Sequence, residues 1–180
     1  MEAVKAVVKD GTEVVVRSAR PEDAAPLLDA MRIVMRESKH LLTEIDEFKY
    51  TVEQEAELVA THLNHPDKLW LIPLVDGKIV GALNFSIGGK KRNSHQGAFG
   101  VSLLPDFQGL GIGRLLMDIF LEWAEDNPRV ECVRLQVHAE NVAASRLYED
   151  LGFREEGREK KGVKFSDGTY DDVLLMARDV

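Results

Sequence analysis

The segment from Phe99 to Trp123 most constrains what this chain can fold into. Phe99, Val101 and Leu103 alternate with small or polar residues, the period of a half-buried strand. Beyond it, Ile112, Leu115, Leu116, Ile119 and Trp123 fall at helical spacing. Between them runs Leu104-Pro105-Asp106-Phe107-Gln108-Gly109-Leu110-Gly111-Ile112-Gly113-Arg114, with three glycines at alternate positions. A strand therefore enters a glycine-rich turn that opens a helix. Glycine lets backbone approach a ligand closely, and a helix start leaves N–H groups unpaired at the positive end of its dipole. The sequence thus predicts that this turn holds the diphosphate of a nucleotide-type cofactor. Taken alone, the same turn could also be a simple connection, since glycine punctuates loops of every kind.

The glycine pattern excludes two common nucleotide sites. A Rossmann turn needs G-x-G-x-x-G, and Arg114 stands where the third glycine would be when counting starts at Gly109. A P-loop ends in Gly-Lys-Ser/Thr, and the chain has no such tripeptide. The spacing Gln108-x-x-Gly111-x-Gly113 instead resembles the cofactor motif of the GCN5-related N-acetyltransferase (GNAT) superfamily, which holds the pyrophosphate of acetyl-CoA.

The order of elements agrees with that resemblance. Glu13 to Ala19 reads as a strand, and Pro21, Glu22 and Asp23 suit the first turn of a helix carrying Leu27, Leu28, Met31, Val34 and Met35. His40 to Tyr50 reads as an acidic loop with Glu44, Asp46 and Glu47. Thr51-Val52-Glu53-Gln54 is a capping box that opens a helix running to about His65. Residues 69–75 and 79–87 form a hairpin about Asp76-Gly77. Strands at about 95–104 and 130–138 flank the central helix, which Asn127-Pro128 ends. Asn141 caps a short helix closed by Gly152, and a last hairpin turns at Asp167-Gly168.

Within that series, Asn141-x-x-Ala144-x-x-x-Tyr148-x-x-x-Gly152-Phe153 resembles the second conserved block of the same superfamily. The likeness covers about residues 13–178. The closing hairpin, Lys161 to Tyr170, looks like a bacterial branch that includes ribosomal-protein and polyamine acetylating members. The resemblance implies one N-acetyltransferase domain over residues 1–180, in the mixed α/β class. Its sheet would be largely antiparallel, with about seven strands splayed between the fourth and fifth and about four flanking helices.

The resemblance also assigns roles. Val101, Ser102 and Leu103 would pair with the pantetheine arm along an open strand edge, whose backbone groups need partners. Gln108, Gly109, Leu110, Gly111, Ile112, Gly113 and Arg114 would hold the pyrophosphate, and Asn141 would bond the arm. A backbone N–H near Leu103 or Leu104 would polarise the thioester carbonyl. Tyr148 matches the family tyrosine placed to protonate the leaving thiolate and to contact the cofactor; by periodicity alone it would be a core residue. Acetyl would pass directly from acetyl-CoA to a primary amine, with both reactants in one cleft. Glu44, Asp46 and Glu47 would border the amine. The base is not assigned: Ala98 and Gln136 stand where many relatives carry glutamate, leaving water, His138, His95 or Glu44. Those two substitutions also sustain the alternative of a non-catalytic acyl-CoA-binding module.

Composition bounds the rest. The 180 residues carry a net charge of −8, which argues against nucleic acid or an anionic membrane as main partner and suits a cationic acceptor or plain solubility. Cys132 is the single cysteine, so no intrachain disulfide forms, and a cytoplasmic setting is expected. No metal site is expected: His62 and His65 share a helix without a carboxylate or cysteine cluster. Dimers are common among the relatives, and no stretch of the chain specifies one.

Overall fold

The computed structural model describes residues 1–180. Nine strands form one sheet: β1 (Val4–Val7), β2 (Glu13–Ser18), β3 (Lys68–Val75), β4 (Lys78–Ile79), β5 (Gly81–Ile87), β6 (Gln96–Leu103), β7 (Cys132–His138), β8 (Arg154–Lys164) and β9 (Tyr170–Asp179). Their order is β1-β2-β3-β5-β6-β7-β9-β8, with β4 paired to β3. Every pairing is antiparallel except β6 with β7. The helices are α1 (Ala24–Glu37), α2 (Val52–Leu63), α3 (Ile112–Asp126) and α4 (Val142–Asp150).

The sequence reading of seven strands falls short of nine for two local reasons. Val4–Val7 is a short run near the N-terminus, and its strand state depends on pairing with Val14–Val16 of β2. The stretch 79–87 is broken at Val80, whose N–H bonds Pro73 O at 3.0 Å, so β4 and β5 count separately. The hairpin itself lies where expected: Asp76 (φ 50°) and Gly77 (φ 76°) both take the left-handed conformation of a two-residue turn. The capping box is also formed, with Gln54 N–H donating to Thr51 Oγ1 at 3.3 Å and Thr51 N–H to Gln54 Oε1 at 3.0 Å.

Two apolar layers sandwich the sheet. On one face, Leu27 and Ala30 of α1 and Val59 of α2 pack against Trp70, Ile72 and Ala82. On the other, Ile112, Leu116, Met117 and Phe120 of α3 are fully buried against Leu83, Phe85 and Val133. The tie between β2 and the start of α1 is ionic. Both terminal guanidinium nitrogens of Arg17 donate to Asp23, at 2.6 and 2.7 Å, and Arg20 N–H adds a third bond at 2.8 Å.

The cleft arises where β6 and β7 part. They pair only over Gln96–Ala98 with Cys132–Arg134. Past that point β6 stays bonded to β5 as far as Leu103, while β7 stays bonded to β9 as far as His138. Each strand follows its outer neighbour, and a wedge opens between Phe99–Leu103 and Leu135–His138. This is the expected splay between the strands predicted at 95–104 and 130–138.

Candidate active site

Two cavities occupy the wedge. One, of about 440 Å³, runs along Val101, Ser102 and Leu103 to the glycine turn. The other, of about 360 Å³, lies deeper, between Trp70, Asn84, Phe99 and Gly100 on one side and Leu135 to His138 on the other. They share His40, Leu41, Val101, Ser102, Asn141 and Tyr148 as walls. Molecules in the two cavities would therefore be separated only by this shared wall, of which Tyr148 is one member.

The glycine turn is built as its composition requires. Gly109 and Gly111 hold φ of 75° and 97°, conformations that strain any residue with a Cβ. A Cβ on Gly109 would meet nothing within 4 Å, and one on Gly111 only the Lys9 side chain, so the surface of the turn is open. Gly111 is the N-cap of α3, and the first bond into the helix is Leu115 N–H to Gly111 O at 3.0 Å. The N–H groups of Ile112, Gly113 and Arg114, ahead of it, have no backbone acceptor. An open cradle with free donors at a helix start fits a pyrophosphate.

Of the residues expected to bind cofactor, Val101, Ser102, Leu103, Gln108, Gly109, Gly111, Gly113, Arg114, Asn141 and Tyr148 all line the outer cavity. Ile112 and Leu110 do not. Ile112 is fully buried in the core, which leaves only its N–H to offer, and Leu110 walls a separate surface hollow. Gln108 turns its side chain back, with Nε2 donating to Leu103 O at 3.1 Å, so it braces the turn against the end of β6. Arg114 is engaged by Asp118 one turn on, at 3.0 Å. Asn141 caps α4 through Oδ1, which accepts from Ala144 N–H at 3.2 Å. Its amide nitrogen is left for the cleft.

Tyr148 is both a core residue and a wall of the cleft. Its ring meets Phe99 and Phe153 edge-on, with centroids 5.8 Å away in each case. Burial pushes its phenol up to about 12. The hydroxyl therefore stays protonated throughout ordinary pH, the form able to donate a hydrogen bond.

The acidic loop does not reach the cavities with its charges. Glu44, Asp46 and Glu47 are exposed and line neither one; Glu47 Oε2 instead accepts Glu44 N–H at 3.0 Å. The wall is supplied just upstream, by His40, Leu41 and Leu42. Gln136 lines the inner cavity and Ala98 lines neither one, and the inner cavity has no carboxylate in its lining. His95 is exposed and lies outside both cavities, whereas His138 is buried in the wall of the inner one. Lys9, His40 and Asn84 also line the cleft, and no spacing in the sequence singles them out. The protein has no cluster of three or more His, Cys, Asp or Glu side chains able to hold a metal. No helix is long and apolar enough to cross a membrane.

Comparison with known proteins agrees with this architecture. Residues 35–153 match the model of the Acetyltransferase (GNAT) family. An L-amino acid N-acetyltransferase of Escherichia coli is 32% identical over 108 residues, 60% of this chain and 66% of that protein. A ribosomal protein bS18 alanine N-acetyltransferase of Salmonella typhimurium is 35% identical over 79 residues, 44% of this chain and 52% of that protein. The matches thus span between half and just under two thirds of these relatives' lengths. The crystal structure of a GNAT-family acetyltransferase from Streptococcus pneumoniae superposes with a TM-score of 0.90 at 28% identity, covering 93% of this chain and 99% of that one. With the splayed strands, the glycine turn and the family model in agreement, the chain belongs to the GNAT family of acetyltransferases.

Proposed function

We propose that the protein is an acetyl-CoA-dependent N-acetyltransferase, a single catalytic domain that acetylates a primary amine in a ternary complex. The observation that carries this reading is that the two cavities adjoin through one shared wall, which includes Ser102, Asn141 and Tyr148. Acetyl-CoA would lie in the outer cavity, with its pyrophosphate at Gly109–Arg114 and its pantetheine arm along Val101–Leu103. Its thioester supplies the acetyl group. The chain's own residues do the rest. The free edge of β6 aligns the arm, Tyr148 donates to the departing sulfur, and the inner cavity holds the amine in reach, which converts a bimolecular encounter into a positioned one.

The acceptor is a small amine or the N-terminus of a peptide. The relatives named for an L-amino acid and for the alanine of ribosomal protein bS18 support an α-amine. The carboxylates of Glu44, Asp46 and Glu47 lie beyond the Leu41–Leu42 wall and would act only at a distance, by drawing a cationic amine toward the mouth.

Incubation with acetyl-CoA and a panel of L-amino acids, an alanine-terminated peptide and a polyamine tests the reading. Amine-dependent thiol release, with the acetylated product in the mass spectrum, is expected for at least one α-amine. Tight CoA binding without turnover on the panel would favour a non-catalytic acyl-CoA-binding module, the reading that the missing glutamates at Ala98 and Gln136 would support.

A further inference from the structure

The inner cavity has no carboxylate in its lining, so the proton of the incoming ammonium needs another acceptor. His138 occupies the wall of that cavity at the end of β7, with its side chain only 7% exposed. Its Nδ1 faces Asp171 Oδ2 at 3.4 Å, and Asp171 is itself 4% exposed. At this distance the pair is close but not aligned as a hydrogen bond, and Nδ1 is sealed from solvent without a partner. Catalytic contacts are often this loose before substrate arrives and tighten in the reacting complex. No hydrogen bond within the protein engages Nε2. His40 packs edge-on against the same ring, with centroids 5.7 Å apart, and its own Nδ1 is also buried without a partner. A buried imidazole backed by a buried carboxylate, and a half-buried one beside it, each with Nδ1 unpartnered, thus line the cavity proposed for the amine.

We propose that His138 is the proton acceptor of the reaction, at Nε2, and that Asp171 is its positioning residue. This rests on the acetyltransferase reading above. Asp171 favours the tautomer with the proton on Nδ1, which leaves the Nε2 lone pair for the substrate. The ammonium gives one proton to Nε2, which releases it to solvent after the reaction. The freed lone pair forms the C–N bond as the C–S bond breaks. The second N–H proton replaces the one that the sulfur takes from Tyr148. The products are the amide, the thiol and one proton.

The charged and titratable groups around His138 are consistent with this role. Asp171 comes from β9, Tyr148 from α4 and His40 from the segment after α1. Glu140 lies on the turn after β7, where its N–H donates to Asp171 at 3.4 Å and its carboxylate pairs with Lys39 at 3.3 Å. Burial, and then the neighbouring His138 charge, hold His40 below its ordinary value, so His40 favours the neutral form.

The tests are His138→Gln, His138→Ala and Asp171→Asn. Each should keep CoA affinity, measured by calorimetry. His138→Gln should lose 10²-fold or more in kcat at neutral pH. The loss should shrink as pH rises and the amine deprotonates in solution, and added imidazole should restore turnover to His138→Ala. Nitrogen-15 spectra of the ligand-free protein at alkaline pH should show His138 protonated on Nδ1, with that preference weakened in Asp171→Asn. Wild-type kcat in His138→Gln, or an Nε2–H tautomer in the free protein, overturns the proposal. If the wild type itself releases no thiol with any amine, the acetyltransferase reading fails, and the tautomer still decides the His138–Asp171 geometry.

Discussion

Gln108 Nε2 donates to the carbonyl oxygen of Leu103 at 3.1 Å, joining the mouth of the glycine turn to the last residue of the open strand edge. The two parts of the cleft proposed to face the cofactor, backbone edge and helix start, are thereby tied together. Gln108→Ala removes one exposed bond, which is worth about 0.5–1.5 kcal/mol. A two- to tenfold rise in the calorimetric Kd for CoA is expected, with no change in thermal midpoint beyond a few degrees.

Gly111 should be far more sensitive. At φ 97° a valine costs at least about 1–2 kcal/mol of backbone strain and places its side chain over the cradle, beside Lys9. Gly111→Val should abolish measurable CoA binding while circular dichroism still reports a folded protein. An unchanged CoA affinity in the folded variant would show that the turn is only a connection.

Tyr148→Phe separates the two roles of that ring. The packing against Phe99 and Phe153 survives and the hydroxyl is lost, so kcat should fall about 10²–10⁴-fold with little effect on CoA affinity. A stability signature accompanies it. The phenol is raised from 10.0 to about 12, so the fold favours the neutral form, and wild-type stability falls as pH rises from about 10 towards 12. Tyr148→Phe lacks that loss, and denaturant unfolding at pH 8 and 11 should show the gap between the two proteins moving in the variant's favour, by up to roughly 3 kcal/mol across the full interval.

Asp23 should govern acid stability. Its burial opposes the charge, but the Arg17 guanidinium and the Arg20 N–H overcome it and hold the carboxyl below its usual range. The contribution is therefore fully present above about pH 4 and is lost as pH falls through the depressed value. Asp23→Asn should cost about 2–3 kcal/mol at pH 7 and flatten the acid limb of a stability profile measured in urea.

Replacing Glu44, Asp46 and Glu47 by their amides tests action at a distance. All three stand clear of the cavities, so the expected effect is a two- to threefold rise in KM for a cationic amine at low salt, gone by about 0.5 M. CoA affinity should not move. An unchanged KM at low salt would make the loop a solvated surface only.

The features legible in the sequence are those that a local pattern specifies. The strand–glycine–helix passage, the capping box at Thr51 and the Asp76-Gly77 turn each depend on a few adjacent residues, and each is present. The outer cavity, proposed for the cofactor, is contiguous in sequence for the same reason: the turn and the open edge run from Val101 to Arg114. The inner cavity, proposed for the acceptor, was not legible. His40, His138 and Asp171 come from three separated parts of the chain and meet only because β7 pairs with β9 while the segment after α1 folds across them. The acidic loop drew attention by its charge, yet the fold uses the less conspicuous His40, Leu41 and Leu42 of that segment as the wall. Side-chain direction was equally hidden: Gln108 turns away from the cradle, and Ile112 enters the core.

The most direct test of the account is an amide-shift titration of the labelled protein with CoA. The largest changes should fall on Val101–Leu103, Gly109–Arg114 and Asn141, the two sides of one cleft, with a second set near Tyr148. Shifts confined to other surfaces, or none at millimolar CoA, would contradict the placement of the acetyl donor between β6 and β7.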